Sequence, residues 1–405
     1  MSLERIRNRF VDHVSQLRAK GIAKGDEYVV TGVRPAESGL SERYFLENFG
    51  DRAFLRMNSN SYLGLSLHPK VIEAEARAAE RFGTGPGAVR FISGTYTPHV
   101  ELERTLAAFH GRDAAMVMSA AYATVMGVLP QFITRETLIV SDALNHNCII
   151  NAIRLAQPAE KAVYSHLDMK ELNQTLIAAK GSFKRVCVVT DGVFSMRGDY
   201  VQLDELADIC SRHESDFEEG IVTVVDDSHG VGAFGKTGRG TEEQTRGRAD
   251  VLIGTLGKAL GVNGGYVVAD EATISYLRET TPSYIYSNPI TPAEAAAAIE
   301  SLRIADSVEG RWRLATLRGL GQQLRQGLSD RGLETIMGDH PIVPILVRDT
   351  ERTSAMVTHL FESGILATGL NYPVVPKGDE EIRLQLSASH TERDIDYLLS
   401  ALQNF

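Results

Sequence analysis

Val251-Leu252-Ile253-Gly254-Thr255-Leu256-Gly257-Lys258-Ala259-Leu260 is the stretch on which the fold and the chemistry of this chain turn. Its apolar start reads as a short buried strand, and directly after it come two glycines, a threonine hydroxyl and a lysine. Gly264-Gly265-Tyr266-Val267-Val268 then returns as a further apolar strand. Burial disfavours an ammonium, so a lysine at the end of a buried strand holds some free amine that can attack a carbonyl. A phosphate-binding P-loop would need a longer spacing between its glycines and a Ser or Thr after the lysine, whereas Gly254 and Gly257 are three apart and Ala259 follows Lys258. A glycine-rich turn with a solvated lysine is the plain alternative, and the rest of the chain decides.

Upstream, short apolar runs at Ala115–Met118, Thr137–Val140, Val186–Val189 and Val222–Val225 alternate with helical patterns. Strands of this kind, buried on both faces and separated by helices, predict an α/β fold whose sheet is parallel or mostly parallel with helices on each side. Ligands in such sheets bind outside the carboxyl ends of the strands. Those ends carry Ser119-Ala120-Ala121-Tyr122, Ser141-Asp142-Ala143-Leu144-Asn145-His146, Asp191-Gly192-Val193-Phe194-Ser195-Met196, Asp226-Asp227-Ser228-His229 and Thr255 to Lys258. Polar groups near a core must be desolvated and paired, so this convergence on one edge marks an active-site rim.

The flanks read more plainly. Leu3, Ile6, Phe10, Val11, Val14 and Leu17 form one face of an amphipathic helix over Leu3–Arg18, followed by a polar, irregular connector. Phe54–Met57 reads as a strand feeding an ordered loop at Asn58–Leu65, and helical pattern runs from Lys70 to Phe82 and from His99 to His110 around a glycine-rich loop at Gly83–Thr95. Beyond Thr291 come long helices up to Leu333, with Trp312 read as a packing residue. Strands at Ile342–Val347 and Ile382–Leu386 and helices at Thr353–Glu362 and Asp394–Leu402 follow, Thr391 and Asp394 forming a capping pair. The expected organisation is an N-terminal helix and arm over 1–55, a large domain over 56–290 and a small α+β domain over 291–405.

A chain of 405 residues has core enough for this, and its net charge of −10 argues against nucleic acid or an anionic membrane as a main partner, since either would want a basic face. No apolar run is long enough for a membrane span, and Met1 to Ala19 has no signal-peptide core, so the expectation is a cytoplasmic protein. Cys148, Cys187 and Cys210 lack metal-ligand spacing and read as reduced core residues, and no metal site is expected.

Pyridoxal 5'-phosphate needs an aldehyde-trapping amine, an anion for its ring nitrogen, a flat group to stack on the ring, and donors for its phosphate. Lys258 offers the amine, Asp226 the anion, His146 the flat group, His229 a donor to the phenolic oxygen, and the backbone of Ala121 and Tyr122 with the Thr255 hydroxyl the phosphate donors. Spacing alone does not choose between Asp226 and Asp227.

The rim motifs together resemble the α-oxoamine synthases, fold-type I pyridoxal phosphate enzymes that condense an amino acid with an acyl-CoA. The likeness continues in Asn60-Ser61-Tyr62-Leu63-Gly64-Leu65, in Arg90…Gly94-Thr95…His99…Leu102-Glu103, in Tyr286-Ser287-Asn288 and in Arg383…Ser387-Ala388-Ser389-His390-Thr391, over about residues 55 to 400. The resemblance implies a large domain with a mostly parallel seven-stranded sheet, Lys258 as the imine-forming lysine and Asp226 rather than Asp227 at the ring nitrogen. It further implies His146 stacked on the ring, Ser195 and His229 at the phenolic oxygen, Thr255 at the phosphate, and Arg383 with Asn60 at the substrate carboxylate. Ser287 and Asn288 would reach the phosphate of a neighbouring subunit, which implies a homodimer with its active site at the interface.

Within that family the motifs Val89–Thr95, Ser141–His146, Thr190–Met196 and Ser287-Asn288 are most similar to the glycine C-acetyltransferases, also called 2-amino-3-ketobutyrate CoA ligases, so glycine is the expected amino acid. Arg197, Val125 and Pro86-Gly87 depart from that pattern and keep open serine or alanine with a longer acyl donor, as in serine palmitoyltransferase or 8-amino-7-oxononanoate synthase. An aminotransferase, which would consume a keto acid and release no CoA thiol, and a non-catalytic partner subunit, which would have lost the lysine, are the rival functions.

Overall fold

The apolar runs become the centre of a seven-stranded sheet in the computed structural model, which describes residues 3–20, 23, 27–372, 375–403 and 405. Of the arm expected over 1–55, residues 1–2, 21–22 and 24–26 lie outside the described ones. Three strands precede the large sheet: β1 (Val30–Arg34), β2 (Arg43–Leu46) and β3 (Ala53–Arg56). The sheet itself consists of β4 (Ala114–Met118), β5 (Thr137–Asp142), β6 (Glu160–Tyr164), β7 (Arg185–Asp191), β8 (Ile221–Asp226), β9 (Val251–Thr255) and β10 (Gly265–Ala269), in the order β4-β10-β9-β8-β7-β5-β6. From β6 to β9 every pairing is parallel, while β10 runs antiparallel to both β9 and β4. The reason lies in connection length. A parallel crossover takes a dozen residues or more, and only Leu256–Gly264 joins β9 to β10, so the chain turns straight back and leaves Lys258 on the turn.

Burial follows the sequence reading closely in the middle of the sheet and departs from it at the β6 edge. All of β5, β9 and β10 is buried, as continuous Val, Ile and Leu runs require. The edge strand β6, with Glu160 and Lys161 exposed, carries no apolar run that would have revealed it. The connector expected after the first helix is corrected: β1 and β2 pair antiparallel within it, and order β1-β2-β3-β12 adds β12 (Ile365–Leu366) in parallel from the far end of the chain. Its cohesion is aromatic and long-range, with Tyr28 stacked on Phe361 at 5.0 Å and Phe49 edge-on to both.

The C-terminal residues form a second antiparallel sheet, β11 (Ile342–Leu346), β14 (Glu381–Gln385) and β13 (Thr368–Leu370) in that order, with helices Thr350–Glu362 and Glu392–Gln403 and, before them, Pro292–Ala305 and Val308–Ser329. The capping pair forms as read: Asp394 donates its N–H to Thr391 Oγ1 at 3.3 Å, and its own carboxylate accepts from the Thr391 N–H at 2.9 Å. That carboxylate also holds Arg43 in a buried ion pair, which ties the arm to the last helix. Trp312 is corrected: it is 60% exposed on the outside of Val308–Ser329 and packs in no core. The first helix, Leu3–Ala19, forms but buries none of its residues. No described helix is long and apolar enough to cross a membrane.

β14 also fastens the two sheets around the rim. Gln385 donates its N–H to the Met57 carbonyl at 2.8 Å, and Ala388 donates to the Tyr62 carbonyl at 2.7 Å, so the loop after β3 is sewn to the strand that carries Arg383.

Candidate active site

β7, β8 and β9 end side by side, with Asp191 in register with Asp226 and Asp226 with Ile253. Their carboxyl ends form the floor of a cavity of about 220 Å³. Ala121, Tyr122, His146, Ser195, Asp226, His229, Thr255 and Lys258 all line it.

Lys258 is half-buried on the β9–β10 turn. Burial holds its pKa below the ordinary lysine value, against the pull of the Asp226 and Asp191 carboxylates. Asp226 and Asp227, indistinguishable by spacing, part company because successive strand residues point to opposite sides. Asp226 lines the cavity, where its carboxylate accepts from the Ser228 N–H at 3.1 Å and from the Ser228 hydroxyl, with the Cys148 thiol at 3.8 Å. Asp227 turns away and accepts from the Thr241 N–H at 2.7 Å and hydroxyl at 2.6 Å. Its pocket is closed by backbone: a Cβ on Gly240, where φ is +83°, would stand 2.0 Å from its Oδ2. Burial pushes the Asp227 pKa up to about 7.

His146 starts the helix Asn147–Ala156 as its cap, accepting the Cys148 N–H at Nδ1, and its own N–H donates to Asp191 at 2.7 Å. These contacts fix the ring at the cavity mouth, where it stays exposed. On the other side His229 is buried, and its Nδ1 meets the Tyr62 hydroxyl at 2.7 Å. Burial, aided by the nearby Lys258 charge, holds its pKa well below the usual histidine value, so the ring is neutral.

The helix Ala121–Val128 begins at the cavity with no side chain capping it, which leaves its first N–H groups for a ligand. Glycine at 265 permits this, since a Cβ there would lie 2.4 Å from the Ala121 nitrogen. Thr255 adds a hydroxyl that accepts from the Gly257 N–H at 3.1 Å and donates to the Gly264 carbonyl at 3.2 Å.

Four residues chosen from the sequence lie outside that lining. Arg383 borders it, donating to the Ser195 carbonyl at 2.9 Å, and its Nε is buried with no partner among the described residues. Asn60 is reached through Tyr62, whose hydroxyl contacts Asn60 Oδ1 at 3.2 Å, and it also accepts from Gln385. Ser287 and Asn288 are exposed and away from the cavity. Conversely, the structure brings in Cys148, Asp191, Val193 and Ser228. Asp191 is buried beside Asp226, and desolvation together with that neighbour raises its pKa well above the carboxylate range. Cys148 follows His146 by two residues, a proximity in the first turn that would have revealed it. Burial pushes its thiol up, so it is no nucleophile.

A softened amine, a carboxylate on the floor, a fixed aromatic ring at the mouth and an uncapped helix start answer the needs of a phosphorylated aldehyde cofactor one by one. A second cavity of about 740 Å³ adjoins the first, sharing His146 and Ser195 with it.

The profile of the aminotransferase class I and II family matches residues 52–402. An 8-amino-7-oxononanoate synthase of Thermosipho melanesiensis is 34% identical over 97% of this chain and 96% of its own length. The 2-amino-3-ketobutyrate coenzyme A ligase of Escherichia coli is 36% identical over 95% of this chain and 93% of its own. Among solved structures, a serine palmitoyltransferase from S. paucimobilis with a bound PLP–myriocin aldimine superposes with a TM-score of 0.86 at 25% identity, covering 98% of this chain and 96% of that one.

Proposed function

This chain belongs to the aminotransferase class I and II family and, within it, to the α-oxoamine synthases, and from that premise we propose that it condenses a small amino acid, glycine first, with an acyl-CoA. It is a pyridoxal phosphate-dependent acyltransferase. In the net reaction a bond between the amino acid's Cα and the acyl carbonyl carbon replaces the thioester C–S bond, and the CoA thiol leaves.

Pyridoxal phosphate, when bound, supplies an aldehyde for amino groups and a conjugated ring that draws electrons from Cα. The protein's part is to hold and to move protons. Lys258 is assigned the covalent attachment and then the Cα proton, a task suited to an amine whose pKa burial has lowered. Among the residues lining the small cavity, Asp226 would hold the ring nitrogen, His146 would cover one ring face, and Ser195 and His229 would face the phenolic oxygen. The N–H groups of Ala121 and Tyr122 with the Thr255 hydroxyl take the phosphate. Arg383, with a buried N–H left over, takes the substrate carboxylate and so fixes which Cα bond stands across the ring, with Asn60 beside it. Ser287 and Asn288, exposed here, are assigned to a second subunit's phosphate, which makes the working unit a homodimer.

The single observation that carries this reading is Lys258, on a turn at the end of a buried strand, sharing one small cavity with Asp226 and an uncapped helix start. The test is a thiol-release assay over a matrix of amino acids and acyl-CoAs. Release of CoA thiol that depends on glycine is the expected result. A keto-acid-dependent loss of amino acid with no thiol released would instead make the protein a transaminase.

A further inference from the structure

The larger cavity has room for an acyl chain, and its charges limit which chain. Leu144, Met196 and Ile336 give it apolar wall. Its two guanidinium groups are already taken: Arg348 is paired with Glu334 at 2.5 Å and Arg197 with Asp199 at 2.7 Å. Asp379 lines the same space. Glu381 is the acid with no hydrogen-bonded cation among the described residues: the two guanidinium groups whose charge reaches it, Arg197 and Arg383, are held by Asp199 and by the Ser195 carbonyl. It is 3% exposed, lines the cavity, and its Oε1 is buried with no partner among the described residues. Alternation along β14 puts it on the same side as Arg383, but that cation is engaged at the cofactor end and is assigned to the amino acid's carboxylate. A chain ending in a carboxylate would therefore meet, on this subunit, paired cations and an unpaired acid. Desolvating a like charge beside Glu381 is strongly unfavourable, whereas an uncharged chain end loses nothing there. Burial pushes the Glu381 pKa up to about 7, so the group is about half ionised in neutral buffer and its repulsion is fully expressed only above that pH.

Resting on the acyl-transfer reading above, we propose that this site takes acyl thioesters whose chain bears no carboxylate at its far end, and that Glu381 enforces the choice. The chain would thereby differ from a synthase of 8-amino-7-oxononanoate, a product that by its name keeps such a carboxylate.

The experiment compares heptanoyl-CoA with pimeloyl-CoA, equal in length, as acyl donors for the purified pyridoxal phosphate-loaded enzyme at about pH 8.5, where Glu381 is ionised, reading thiol release. The wild-type enzyme is expected to favour heptanoyl-CoA in kcat/KM by about tenfold or more, and Glu381→Gln to narrow that ratio by several-fold. Equal or faster use of pimeloyl-CoA by the wild type overturns the inference while leaving acyl transfer intact. An unchanged ratio in an active Glu381→Gln removes Glu381 from the role. Absence of thiol release from every acyl-CoA and amino acid tried sinks the acyl-transfer reading and this inference with it. Because the wild-type ratio needs no variant, a poorly folding Glu381→Gln leaves the first result decisive.

Discussion

The two adjoining cavities are made in different ways. The smaller is built by the ends of consecutive strands of one parallel sheet, and its carboxylates are held: Asp226 by Ser228, Asp191 by the His146 N–H. The larger is lined by the loop after β7, by β11 and β14, and by the segment Val375–Asp379, pieces distant in sequence, and it contains a carboxyl, Glu381, whose Oε1 has no hydrogen-bond partner among the described residues. The first is a fixed device for one cofactor, and the second is a surface where small changes alter what is accepted. Substitutions in the first should therefore abolish chemistry, and substitutions in the second should redistribute it.

The contrast breaks most visibly at Lys258. Lys258→Ala is expected to lower turnover by about a thousandfold or more and to abolish attachment of the cofactor on borohydride reduction. Borohydride labelling that survives at another lysine would show that the small cavity is not the reaction centre. A sharper test sets the neighbouring aspartates against each other. Asp226→Asn should cost about a hundredfold in kcat by replacing the charge assigned to the ring nitrogen, with little change in folding stability. Asp227→Asn should do the reverse, because a neutral amide replaces a buried carboxylate that accepts two hydrogen bonds from Thr241 and leaves only its oxygen to accept; the expected loss is about 1–3 kcal/mol of stability, with turnover altered by no more than about threefold. Paired measurements of kcat and urea midpoints decide it, and a larger kcat loss in Asp227→Asn would reverse the assignment.

That same contrast explains what the sequence disclosed. The floor of the small cavity was legible because each of its parts is a contiguous motif: an apolar strand followed at once by Asp226, by Ser195 or by Lys258. The choice between Asp226 and Asp227 was not legible from spacing, since it depends on which side of β8 faces the cavity, and family resemblance supplied it. Asp191 was visible at its strand end without a role, because its place beside Asp226 comes from the β7–β8 register. The strands β1 and β2 escaped notice because they are short and pair with each other and with β3, which is itself completed only by β12, more than three hundred residues on, and because the cohesion around them is aromatic packing on Phe361 rather than an apolar run. Trp312 was misjudged because its size argues for burial while its position on the helix surface faces outward. Glu381 could not be singled out at all: an acidic residue opening a strand acquires meaning only when the structure leaves it buried with a carboxylate oxygen that has no hydrogen-bond partner among the described residues.

The smallest effect concerns the loop the two cavities share. His166 stands beneath it, with Nδ1 at 3.0 Å from Asp142, Nε2 at 3.3 Å from Asp199, and its ring edge-on to Phe194 at 4.4 Å. Asp199 in turn holds Arg197, so this histidine anchors the segment that presents Ser195 to one cavity and Arg197 to the other. Burial alone would lower its pKa, but the hydrogen bonds and charges of Asp142 and Asp199 outweigh it and raise the value to about 9. A folded-state pKa above the ordinary 6.5 means that the imidazolium stabilises the fold fully below pH 6.5, and that this stabilisation fades as pH rises through about 9. His166→Gln should accordingly be less stable than the wild type by on the order of 2 kcal/mol at pH 6, with the gap narrowing steadily towards pH 9.5 in urea midpoints. kcat/KM should fall only about two- to fivefold, expressed mainly in the KM of the acyl donor, since the lysine and the floor aspartate are untouched. A stability gap that stays constant across that pH range would mean that His166 contributes by packing alone, and that the loop between the cavities is held by its backbone rather than by charge.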